Sequence, residues 1–96
     1  MNGAGEVAVR VRIHGRVQGV WYRGWTVDEA QARGLRGWVR NRTDGSVEAL
    51  FIGPLSAVRS MIDACRRGPE LAAVARIEEY PAADDGSIDF RQMPTV

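Results

Sequence analysis

Hydrophobic and polar residues alternate from Glu6 to His14. Val7, Val9, Val11 and Ile13 fall on one side, with Ala8, Arg10 and Arg12 on the other. A period of two sustained over this length predicts a strand with one buried face. At Tyr22 the period lengthens. Tyr22, Thr26 and Ala30 share one face of a helix predicted to run to Arg33, and Trp21 and Trp25 fall at i,i+4 spacing for a stack beside it. Gly34 is placed to close that helix as a left-handed C-terminal residue. Alternation returns over Leu35–Asn41, around Trp38 and Val39. Arg42-Thr43-Asp44-Gly45 reads as a hairpin turn, and Ser46–Ile52 as the strand after it, with Val47, Ala49 and Phe51 on one side. Gly53-Pro54 opens a second helix, Pro54 suiting its first turn. Leu55, Val58, Met61, Ile62 and Cys65 line the inner face, and Gly68-Pro69 ends it. Val74–Tyr80 follows as a fourth strand, and Ser87–Gln92 offers a short fifth at an edge.

The order is β-α-β-β-α-β with that terminal strand added. This is a ferredoxin-like α+β pattern, an antiparallel sheet with two helices on one face. A right-handed crossover makes the first two strands parallel, so their C-terminal ends lie at the same edge of the sheet. The segment Gly15–Tyr22 leaves one of those ends and Asn41 occupies the other. Asn41 has the parity of Gly37 and Val39. If Val39 faces the helices, Asn41 does too, and it becomes a neighbour of Arg23.

Composition narrows the partners. Ninety-six residues, 45% of them hydrophobic, are expected to form one domain over 1–96, with flexible tails at 1–5 and 93–96. A net charge of +1 gives no argument for nucleic acid or a membrane surface. The charge is uneven, however: residues 1–45 hold eight Arg against four acids, and residues 46–96 five against eight. Lysine is absent, which removes Schiff-base chemistry and lysine-dependent phosphate loops. The lone Cys65 precludes an internal disulfide and suits a reducing compartment. No apolar leader or membrane-length run is present, so the expectation is a cytoplasmic monomer.

The stretch Gly15-Arg16-Val17-Gln18-Gly19-Val20-Trp21-Tyr22-Arg23 joins the first strand to the first helix. Two glycines four apart permit a tight turn with free N–H groups, and the helix start adds more of them together with the positive end of its dipole. Such a junction can seat an anion like phosphate, and the Arg23 guanidinium could grip two of its oxygens. Asn41 offers a neutral carboxamide, suited to holding a water in line with phosphorus rather than to deprotonating it. No Asp, Glu or His adjoins Arg23 or Asn41 in sequence, so the substrate should carry a good leaving group. An acyl phosphate meets that requirement. His14 and Cys65 read as structural residues. The three tryptophans read as packing residues, with the pocket mouth a second place for Trp21.

At this point the nine-residue stretch resembles the first signature of the acylphosphatases, and Gly37-Trp38-Val39-Arg40-Asn41-Arg42-Thr43-Asp44-Gly45-Ser46-Val47-Glu48 is similar to the second. The resemblance spans about residues 6–92. It implies hydrolysis of small-molecule acyl phosphates without metal or other cofactor. Arg23 would bind the phosphoryl group and Asn41 would orient the attacking water. Gly15, Gln18, Gly19, Val20, Trp21 and Tyr22 would form the substrate-binding loop. Tyr22 stands where the family usually has Phe, adding a hydroxyl that needs a partner. The alternative reading is a non-catalytic anion- or RNA-binding module on the same fold, although the third strand lacks the stacking aromatics of RNA-recognition motifs.

Overall fold

The alternation of short strands with two amphipathic segments is realised in a computed structural model that describes residues 5–96; most of the expected N-terminal tail lies outside the described residues. The elements are β1 (Glu6–Arg16), α1 (Tyr22–Ala32), β2 (Arg36–Asn41), β3 (Val47–Pro54), α2 (Leu55–Cys65), β4 (Ala73–Pro81) and β5 (Phe90–Gln92). They form one sheet in the order β4-β1-β3-β2-β5. Because β1 and β2 each pair antiparallel with β3, they run parallel to one another and end at the same edge. That places the Gly15–Tyr22 junction near Asn41, as the crossover rule requires.

One face of the sheet carries Val11, Ile13, Val39, Val47, Ala49 and Phe51 against Tyr22, Ala30, Val58, Met61, Ile62 and Cys65 of the two helices. Gly37, Val39 and Asn41 are the buried positions of β2, so Asn41 does face the helices. The other face of β3 is buried as well, at Glu48, Leu50 and Ile52. Leu50 lies between its register partners Arg10 and Trp38. The guanidinium of Arg10 stacks 4.5 Å over Tyr80, and that of Arg40 stacks 4.6 Å over Trp38. These long side chains shelter apolar surface with their stems while their charges stay near water.

Five features depart from the sequence expectation. The sheet is mixed rather than wholly antiparallel, since β5 lies parallel to β2, with Val39 opposite Gln92. The connection after β4 crosses from one edge of the sheet to the other and arrives in the direction of β2. The fifth strand is also only three residues long. Asp84 and Asp85 accept from the N–H groups of Gly86 (2.8 Å) and Ser87 (3.0 Å), and such local turns compete with extended pairing.

Trp21 and Trp25 do not stack. Trp21 precedes the helix with φ 66°, off the helical lattice, while Trp25 meets Tyr22 edge-on at 5.3 Å. Pro54 ends β3 and caps α2 instead of sitting inside its first turn. Finally, the segment expected as a C-terminal tail is tied beside β2 and the hairpin. Met93 N–H donates to Val39 O (2.8 Å), Val96 N–H to Asn41 O (3.2 Å), and Thr43 N–H to Val96 O (2.9 Å).

Helix α1 closes as its sequence suggests. Gly34 has φ 68°, its N–H donates to Gln31 O, and Leu35 N–H donates to Ala30 O, the paired bonds of a Schellman motif.

Candidate active site

At the shared edge of β1 and β2 a small cleft of about 150 Å³ opens between the β1–α1 junction and the end of β2. Val17, Gln18, Gly19, Trp21, Tyr22, Arg23, Gly24, Asn41 and Gln92 line it. Arg23 and Asn41 are therefore brought together, along with Gln18, Gly19, Trp21 and Tyr22. Gly15 and Val20 do not line the cleft. Gly15 lies at a register shift where β1 presses on β4; its φ is 125°, and a Cβ there would run into the Ala73 carbonyl. Val20 packs against the hydrophobic core. Val17, Gly24 and Gln92 are lining residues that the expected site did not include. A strand parity places Gln92 only once β5 is known to be parallel to β2.

The junction is held open by its own backbone. Gly19 (φ 74°) and Trp21 (φ 66°) both take left-handed conformations, and for a Trp this costs about 1–2 kcal/mol. The first helical N–H groups have no carbonyl four residues back to accept them. Among the described residues, no main-chain carbonyl in a turn or loop takes the N–H groups of Gln18 through Gly24. They lie at the positive end of the α1 dipole, in the junction that lines the cleft.

The side-chain amide of Gln18 is taken up by the hairpin. It donates to Arg42 O (2.8 Å) and Ser46 O (2.9 Å), which moors the loop to the β2–β3 hairpin. The hairpin is itself braced. Asp44 accepts from Ser46 N–H (2.9 Å), Ser46 Oγ (2.6 Å) and Arg12 (2.9 Å). Those bonds from Ser46, and then Arg12, hold its carboxyl well below the usual carboxylate range. Loop and hairpin are thus one hydrogen-bonded unit, with Asn41 at its base.

Tyr22 answers the question raised by its extra hydroxyl. The hydroxyl donates to Cys65 O at 2.6 Å, inside the core and away from the cleft. Burial, with Cys65 beside it, pushes its pKa far up, so the phenol is a structural donor and no acid or base. Burial likewise pushes the Cys65 thiol up to about 12, which leaves it inert.

Most arginines of the chain are paired with carboxylates; the half-buried Arg23 makes no ion pair or hydrogen bond among the described residues. Asn41 is 9% exposed, and its Oδ1 is buried without a partner. An unpartnered buried acceptor costs about 1–3 kcal/mol, a cost that a ligand or water can relieve. The cleft therefore contains one fixed positive charge, a row of unused N–H donors and one unused carboxamide acceptor. Its lining has no carboxylate, imidazole or thiol. Among the described residues, no group of three His, Cys, Asp or Glu side chains is placed to hold a metal ion.

Comparison with known proteins gives the same family over nearly the whole chain. Residues 9–92 match the Acylphosphatase family model. An acylphosphatase of Rhodospirillum rubrum is 56% identical over 86 residues, covering 90% of this chain and 94% of that one. The crystal structure of an acylphosphatase from Bacillus subtilis superposes with a TM-score of 0.88 at 36% identity, over 91% of this chain and 98% of the other. An acylphosphatase structure from Coxiella burnetii superposes at 0.89 with 29% identity, over 93% and 94% of the two chains. The chain belongs to the acylphosphatase family of hydrolases.

Proposed function

We propose that the chain hydrolyses small acyl phosphates to a carboxylate and inorganic phosphate, with Arg23 and Asn41 in the two principal roles. The phosphoryl oxygens accept hydrogen bonds from the Arg23 guanidinium and from the main-chain N–H groups of the Gln18–Gly24 turn. Charge-assisted bonds of this kind contribute about 1.5–3 kcal/mol each. Asn41 accepts a hydrogen bond from a water through Oδ1, turning the water's lone pair toward phosphorus on the face opposite the leaving oxygen.

Attack forms the new P–O bond as the bond to the acyl oxygen breaks. Both electrons of that bond leave with the carboxylate, and the proton of the attacking water passes to a phosphoryl oxygen. A carboxylate is a stable leaving group, so no acid need protonate it. Phosphoryl transfer of this type depends on positioning and charge stabilisation, which a cleft without a base can supply.

The observation that carries this reading is the pairing, in one cleft, of an Arg23 and a buried Asn41 Oδ1 that both lack a partner among the described residues. Membership of the acylphosphatase family supports the substrate class. The test is hydrolysis of benzoyl phosphate in excess EDTA. Turnover should equal that without chelator. No hydrolysis would favour a silent anion-binding domain on this fold, and loss of activity with chelator would overturn the metal-free mechanism.

A further inference from the structure

We infer that Trp21 and Gly24 together form an acyl-group platform at the cleft mouth, which makes the site selective for flat aromatic acyl phosphates. The inference rests on the phosphoryl seat proposed above and adds the recognition of the other half of the substrate. Trp21 is 63% exposed, although it lines a cleft and immediately precedes a helix of the core. It is also the only described non-glycine residue with positive φ. Glycine or asparagine would hold that backbone conformation more easily. A strained residue retained at a site points to a use for its side chain.

Gly24 supplies an independent observation. It lies within the first turn of α1, where alanine would favour the helix more. A Cβ at Gly24 would run into the indole nitrogen and neighbouring ring atoms of Trp21. The missing side chain is what lets the indole lie against the helix, beside Arg23. With the phosphoryl group at the loop amides, the acyl group must leave through the mouth and pass this ring. A flat aromatic acyl group can stack on the indole, whereas an acetyl group has too little surface to use it. Gln92, exposed on β5, lines the same cleft and leaves the region around the acyl carbonyl polar.

The experiment compares kcat/KM for benzoyl phosphate and acetyl phosphate in the wild type, in Trp21→Asn and in Gly24→Ala. Trp21→Asn removes the ring with a residue that tolerates the left-handed backbone. Gly24→Ala leaves Trp21 in the chain, displaces its ring and favours the helix. The wild-type preference for benzoyl phosphate should fall about three- to tenfold in both variants, mainly through KM for the aromatic substrate. A benzoyl-to-acetyl ratio that is unchanged or increased in both folded variants would overturn the platform and leave the hydrolytic reading intact. A wild type that hydrolyses neither substrate would overturn the hydrolytic reading itself.

Discussion

At the scale of single residues, Arg23 and Asn41 are set apart by lining one cleft without a side-chain partner among the described residues. Arg10, Arg12, Arg36, Arg40 and Arg42 all find carboxylates within 3.0 Å. The two proposed roles are separable by kinetics. Arg23→Lys keeps one positive charge but loses the planar fork, so kcat/KM should fall about 10–100-fold and inorganic phosphate should inhibit more weakly. Asn41→Ala leaves the phosphoryl seat in place while releasing the water, so kcat should fall about 10²-fold with little change in phosphate inhibition. Steady-state kinetics with phosphate as inhibitor checks both. Equal losses of phosphate affinity in the two variants would mean that Asn41 belongs to the seat. The motif residues around these two side chains were legible in the sequence. That Arg23 has no partner among the described residues was not, because ion pairing depends on where the fold brings each carboxylate.

At the scale of elements, alternation and helical period placed the two helices and the first four strands to within a residue or two, the fifth strand starting three residues later than expected, and the crossover rule brought Arg23 and Asn41 to one edge. The junction between β1 and α1 was less legible, because its geometry depends on long-range partners. Gly15 read as part of the anion loop, yet its positive φ serves the close approach of β1 to β4. Gln18 read as a cradle residue, yet its side chain moors the loop to a hairpin whose carbonyls lie 24 and 28 residues away in sequence. Gln18→Ala tests this division of labour. Each lost bond between neutral groups contributes about 0.5–1.5 kcal/mol, and part of that loss should appear as a looser loop rather than as unfolding. The expected result is a several-fold weaker inhibition by inorganic phosphate and a melting temperature lowered by a few degrees. A large fall in melting temperature with unchanged phosphate inhibition would assign Gln18 to the fold alone.

At the scale of the whole molecule, the two halves of the site stand on different strands, and the face away from the helices helps hold those strands together. Glu48, 4% exposed on the central strand β3, accepts from Arg10 of β1 at 3.0 Å, from Arg40 of β2 at 2.8 Å and from Arg42 at 2.9 Å. One carboxylate thus clasps the strand that leads into the β1–α1 junction to the strand that ends in Asn41. Burial pushes the Glu48 carboxyl up, but the bonds from Arg40 and Arg42 outweigh it and leave its pKa below the ordinary glutamate value. A carboxyl lowered in the folded state adds stability above its unfolded pKa, and that stability is lost as pH falls through the folded value. Glu48→Gln keeps the shape but removes the charge between three guanidiniums. It should cost about 1–3 kcal/mol near neutrality, a fall of roughly 5–20 °C in melting temperature for a chain of this size. The difference between wild type and variant should be constant above about pH 5 and shrink below about pH 4, as the wild-type carboxyl takes up its proton. Thermal melts of both proteins from pH 7 down to pH 2.5 provide the measurement. A difference that stayed the same through the acid range would show that the shape of Glu48, and not its charge, joins the two halves of the sheet.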